Sequence, residues 1–102
     1  MDTKQTVVDE NSESWSSRIL RNFLEKDNSD QILKEIPAQR KKRLVILQWL
    51  VEKFEVGVKY PESQVNATIK KYYPDYATLR RELIVNQLMQ RQNGVYWRVA
   101  EG

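Results

Sequence analysis

From Trp15 onward the large apolar side chains recur at helical spacing: Trp15, Ile19, Leu20, Phe23 and Leu24 fall at i, i+4, i+5, i+8 and i+9. This spacing gathers them on one side of a 3.6-residue repeat and predicts an amphipathic helix of about three turns, capped by Ser12 or Ser14. Lys26-Asp27-Asn28-Ser29-Asp30 offers nothing apolar and ends it. Gln31–Ile36 is short enough for one strand, although its alternation is imperfect. From Pro37 to Phe54 the pattern is helical again, and Pro37 suits a first helical position because its missing N–H costs nothing there. At about 100° per residue, Leu44, Ile46, Leu47, Leu50, Val51 and Phe54 share a core face. Val45 and Trp49 make an i, i+4 pair on the other side, for which the Trp15–Leu24 helix is the available cover.

Glu55–Lys59, with Gly57, reads as a loop. Pro61 starts a second proline-initiated helix, with Glu62 in its first turn and Val65, Ile69 and Tyr72 at i, i+4 and i+7. Tyr73-Pro74-Asp75 stops it, and Asp75 caps a further helix over 75–86. Tyr76, Leu79 and Leu83 form its inward stripe; Thr78, Arg81 and Val85 face outward, flanked by Ala77 and Glu82. Asn93-Gly94 favours a type I′ turn joining Leu88–Gln92 to Val95–Val99. Alternation there places Val95, Trp97 and Val99 inside, with Tyr96, Arg98 and Arg91 on the exposed face.

The resulting order is helix, short strand, three helices and a hairpin. From the strand onward it predicts a winged helix-turn-helix, β-α-α-α-β-β, with the hairpin as wing and residues 75–86 in the recognition-helix position. The expected class is mainly α with a small β hairpin (α+β), preceded by an extra N-terminal amphipathic helix. Residues 1–13 read as a flexible acidic tail, 14–30 as N-terminal helix and linker, and 31–102 as the winged-helix-like domain.

Composition narrows the chemistry. A chain of 102 residues suits one small domain, and the absence of cysteine and histidine removes disulfides, thiol catalysis, most zinc sites and any histidine base. Asp and Glu form no cluster with metal-loop spacing, and no nucleophile–base pair or glycine-rich phosphate loop occurs. The expectation is a non-enzyme with no cofactor. No apolar run approaches the roughly 18–20 residues of a membrane span, so a cytoplasmic protein with no membrane partner is expected.

The net charge of +3 is unevenly spread. Residues 1–37 hold five Lys/Arg against eight Asp/Glu, whereas 38–102 hold twelve against six. Concentrated basic charge is the footprint of a polyanion binder. Its densest part, Arg40, Lys41, Lys42 and Arg43, opens a helix, where each cation opposes the dipole by about 0.3–1 kcal/mol. Either these side chains lie over apolar neighbours and pair with Glu35, Glu52 and the N-terminal helix, or they join the helix N–H groups in holding phosphate.

In the helix at 75–86, Thr78 and Arg81 are available to a groove, and Arg80, nearer the inward edge, braces the fold or touches phosphate. A plain core helix is the alternative, and its start is short of Asn, Gln and Ser. Arg91 and Arg98 either meet wing-side phosphates or are simply solvated. Tyr72 and Tyr73 are candidates for base stacking, or for core packing and helix-end filling.

Three blocks, IPAQRKKRLVILQWLVEKFE (36–55), YPESQVNATIKKYYPDYATLRRELI (60–84) and GVYWRV (94–99), together resemble the bacterial family catalogued as domain of unknown function 2087. The resemblance covers roughly residues 30–100 and includes Pro37, the Arg40–Arg43 cluster, Tyr60, Asn66, Asp75, Thr78, Arg80, Arg81 and Tyr96-Trp97-Arg98. It implies a small winged-helix-like domain, found alone or attached to helix-turn-helix transcriptional regulators. A fused copy would serve protein contact or regulation.

Double-stranded DNA is therefore the expected partner, held by Arg40, Lys41, Lys42, Arg43, Thr78, Arg80, Arg81, Arg91 and Arg98 of a small transcriptional regulator. The alternative is a protein-interaction or homodimerisation module of a regulatory complex, using Trp15, Ile19, Phe23, Val45 and Trp49. Intramolecular packing competes for those same residues. Basic groups pointing in different directions would favour the alternative.

Overall fold

The protein is described by a computed structural model over residues 14–27 and 30–100; the acidic tail assigned to 1–13 lies outside the described residues. Helix α1 (Trp15–Phe23) starts where Ser14 Oγ accepts the Ser17 N–H at 3.1 Å. That bond satisfies a donor the helix end leaves free, and makes Ser14 the cap. Leu24 turns extended and opens β1 (Leu24–Asp27), which pairs antiparallel with β2 (Asp30–Leu33). Leu24 stands opposite Leu33 and both are buried. The expected linker thus carries a strand. The strand expected at 31–36 pairs with its N-terminal neighbour and takes no part in the sheet of the C-terminal hairpin.

Helix α2 (Arg40–Val51) begins three residues after Pro37, with Gln39 at its N-cap and no side-chain capping bond. The delay has a visible cause. Arg43 Nη1 donates back to the carbonyls of Pro37 (3.3 Å) and Ala38 (2.9 Å), so a side chain takes the place of helical N–H groups there. Pro37 is itself fully buried. Ile46, Leu47, Leu50, Val51 and Phe54 form the core face as expected, with Leu44 only half-buried. On the other side α1 packs against α2, and Ile19 and Val45 are buried in the shared core.

Helix α3 (Glu62–Lys70) buries Val65 and Ile69, and α4 (Tyr76–Val85) buries Leu79 and Leu83. Asp75 caps α4 as expected: its Oδ1 accepts the Thr78 N–H at 3.2 Å and its Oδ2 the Thr78 hydroxyl at 2.7 Å. These two bonds, the hydroxyl first, hold the Asp75 carboxyl below the ordinary carboxylate range. The far end of α4 closes in a Schellman turn, with Gln87 N–H on the Ile84 carbonyl and Leu88 N–H on that of Leu83. The turn forces Gln87 to φ 62°, where a side chain is strained.

A second sheet contains β3 (Lys59–Pro61), β4 (Met89–Gln92) and β5 (Val95–Arg98), antiparallel in the order β3-β5-β4. Asn93 and Gly94 join β4 to β5 with φ of 53° and 78°, the positive pair a type I′ turn requires. Strand β3 occupies residues read as loop and helix start. At three residues it has no alternation of its own, and Pro61 is tolerated because β3 is an edge strand.

Its partner β5 corrects the expected facing. Tyr96, across from Tyr60, is fully buried, while Trp97 is half-buried on the opposite face with Lys59 Nζ 5.6 Å from its ring centroid. The described chain is α+β, with four helices and two small antiparallel sheets. Among the described residues no helix is long and apolar enough to cross a membrane.

Candidate functional site

The burial of Leu79 and Leu83 sets the orientation of α4. The opposite strip carries Thr78, Arg81 and Val85, and Val85 is 71% exposed. By helical geometry Arg80 and Ile84 lie on one flank of this strip, with Glu82 and Asn86 on the other.

On the first flank, Arg80, Arg81, Ile84 and Val85 meet Arg91 and Tyr96 of the β4-β5 hairpin across a cleft of about 170 Å³. Arg80 Nη1 donates to Asn66 Oδ1 at 2.6 Å, bracing α4 to α3. Arg81 Nη2 lies 3.5 Å from Thr78 Oγ1, and Arg91 Nη1 lies 3.4 Å from the Tyr96 hydroxyl. That hydroxyl donates to Glu62 Oε1 at 2.7 Å, tying the β4-β5 hairpin to the start of α3, as does the Glu62 N–H on the Gly94 carbonyl. The Tyr96 contact, first as hydrogen-bond acceptor, raises the Arg91 pKa further above its already high ordinary value. All three cleft guanidinium groups are thus held by neutral oxygens.

The second flank belongs to the start of α2. Arg43 Nε meets Glu82 Oε1 at 2.7 Å, and Arg40 Nη2 donates to Asn86 Oδ1 at 3.1 Å. Asn86 Nδ2 in turn donates to the Glu82 carbonyl at 2.9 Å. The basic cluster therefore divides. Arg43 precedes Ile46 and Leu47 by three and four residues, sits on the core stripe and points inward. Its partner is Glu82, not Glu35, Glu52 or α1. Arg40 rests on the end of α4, while Lys41 and Lys42 have no hydrogen-bond or ion-pair partner among the described residues.

Two further expected positions are placed differently. The Thr78 hydroxyl is engaged by Asp75. Arg98 is half-buried and donates Nη1 to the Phe54 carbonyl at 3.1 Å, which takes it off the exposed hairpin face. None of Asn66, Glu62 and Glu82 was expected as a site residue: Asn66 and Glu62 position the cleft, and Glu82 holds Arg43 on the other flank. Arg43's place on the core stripe was readable from periodicity; the Asn66 and Glu62 contacts span 14 and 34 residues and leave no local pattern.

The apolar residues of the alternative interface are largely consumed inside the molecule. Ile19 and Val45 are buried, Phe23 and Trp49 half-buried, and only Trp15, at 44% exposure, stands out. Trp49 packs edge-on against Tyr72 at 5.3 Å, with Lys53 Nζ 4.7 Å from the Trp49 centroid, so Tyr72 is occupied by packing. No group of His, Cys, Asp or Glu suited to a metal occurs among the described residues.

The sequence model of one bacterial family, described as an uncharacterised protein conserved in bacteria (DUF2087), matches residues 32–98. The match takes in every residue of the cleft and leaves α1 and β1 outside. No curated protein and no solved structure matches the chain.

Proposed function

The chain belongs to this bacterial family, and from that premise we propose that it is a winged-helix protein that binds duplex DNA in transcriptional regulation. The connectivity α2-β3-α3-α4-β4-β5, with β3 joining the hairpin beside β5, supports the winged-helix reading and gives α4 the recognition position. The observation that carries the DNA reading is the convergence of Arg80, Arg81 and Arg91, from two elements, beside the exposed strip of α4. None of the three forms a salt bridge among the described residues.

In this reading Arg81 reaches base edges and Val85 meets a thymine methyl, both standard major-groove contacts. Arg80 and Arg91 hold phosphates on one side, and Arg40, Lys41 and Lys42 do so on the other. Thr78, Arg43 and Arg98 serve the scaffold, since their polar groups are already engaged.

Fluorescence anisotropy of a labelled duplex, titrated against salt, tests this. The log K versus log salt slope should be steep and should shrink by about 0.9 for each phosphate contact removed by Arg80→Ala or Arg91→Ala. Absence of binding at about 50 mM salt, or a slope unchanged in both variants, refutes it.

A further inference from the structure

The cleft between α4 and the wing has two unlike walls. Arg80, Arg81 and Arg91 bring three guanidinium groups to it, while Ile84 and Val85 supply apolar surface above the buried Tyr96. The three cations are held in place by Asn66, Thr78 and Tyr96 respectively, none of which is charged. Two carboxylates lie close enough to act on these cations, Glu62 on Arg91 and Asp75 on Arg81, but among the described residues neither forms a salt bridge with them: Glu62 accepts from the Tyr96 hydroxyl, and Asp75 from Thr78. Arg43 shows the contrast, because its guanidinium meets a carboxylate of the same chain. The cleft thus keeps three guanidinium groups, none of them paired directly with a carboxylate of the described residues and with only part of their charge offset by Glu62 and Asp75, beside an apolar wall.

Its size limits what fits. About 170 Å³ is close to the volume of roughly 150 Å³ that holds a single benzene ring in a protein interior. We infer that this cleft is a binding site for a small organic carboxylate with a compact apolar body, the carboxylate on Arg81 and Arg91 and the body on Ile84 and Val85. Charge-assisted bonds from guanidinium donors orient the head, and burial of the body supplies the discrimination against inorganic anions. The site shares Arg81 and Arg91 with the proposed DNA surface, so an occupied cleft withholds both from DNA. The inference itself does not depend on DNA being bound.

Benzoate is the probe, compared with benzamide and inorganic phosphate at constant ionic strength, and followed by NMR of the Ile84 and Val85 methyls and the arginine Nε–H groups. Benzoate should shift these signals saturably, with a dissociation constant on the order of 1 mM for so few atoms. Benzamide and phosphate should each bind about tenfold more weakly, as should benzoate to the Arg81→Gln/Arg91→Gln double variant. Val85→Gln, at an exposed position, should weaken benzoate and leave phosphate unchanged.

Phosphate binding as tightly as benzoate, shifts that fail to saturate, or shifts that persist in the double variant would overturn the inference. Repeating the anisotropy titration with benzoate present separates the two proposals. Competition supports a shared surface. Benzoate binding without any DNA binding refutes the DNA reading alone, and DNA binding without benzoate binding refutes the carboxylate site alone.

Discussion

Replacing Arg43 by methionine separates the structural part of the basic cluster from the part free to meet an anion. Methionine keeps the aliphatic reach of the side chain along the core stripe but removes every donor. Three contacts disappear: Nε to Glu82 at 2.7 Å, and Nη1 to the carbonyls of Ala38 at 2.9 Å and Pro37 at 3.3 Å.

The ion-paired side chains are 22% and 25% exposed, which lies between the surface case of about 0.2–1 kcal/mol and the buried case of about 3–5 kcal/mol. A value of roughly 1 kcal/mol for the pair, plus roughly 1 kcal/mol for the shorter carbonyl bond and the segment it holds, gives a loss of about 2 kcal/mol. For a domain of this size that lowers Tm by about 8–16 °C, readable by circular dichroism. A double-mutant cycle with Glu82→Gln should return about 1 kcal/mol of coupling. Lys41→Ala and Lys42→Ala should leave Tm nearly unchanged, because neither side chain has a partner among the described residues. An Arg43→Met protein melting within about 2 °C of the parent would refute the staple between α2 and α4.

Two other perturbations test local geometry. Gln87→Gly should stabilise the fold by about 0.5–1 kcal/mol in urea denaturation, because φ 62° at the Schellman position is strained for any side chain. A loss of stability would contradict the turn. For Asp75, the folded pKa is depressed, so its contribution is fully present above the ordinary value of 3.8 and is lost as pH falls through the lower folded value. The parent should therefore lose stability more steeply than Asp75→Asn on acidification below that point. Parallel pH profiles would show that the Thr78 bonds do not favour the ionised cap.

What could be read from the chain alone was whatever closes within one or two turns of backbone. The α2, α3 and α4 stripes depend on contacts three and four residues apart, the Ser14 and Asp75 caps on bonds to the third residue onward, and Asn93-Gly94 on its own φ preference. Even α1's role as cover for Val45 followed, since a helix apolar on two sides must bury both. The inward turn of Arg43 was available to the same periodicity and was masked by its three cationic neighbours.

The rest needed tertiary structure, because the deciding partners are far apart in sequence and weak in local signal. Alternation in β5 permits either face inward; Tyr60 across the sheet and Glu62 beneath it, both remote from the hairpin, decide for Tyr96 over Trp97. Three residues cannot announce themselves as β3, and the pairing of Leu24 with Leu33 joins β1 and β2 at residues buried in the core that α1 and α2 share. The candidate site is of this kind as well. Arg81 was legible on the outward face of a helix, Arg80 nearer its inward edge and Arg91 in a hairpin, but their meeting depends on how α4 and β4 pack around Tyr96. Packing fixes that geometry through long-range contacts, for which local pattern carries no record.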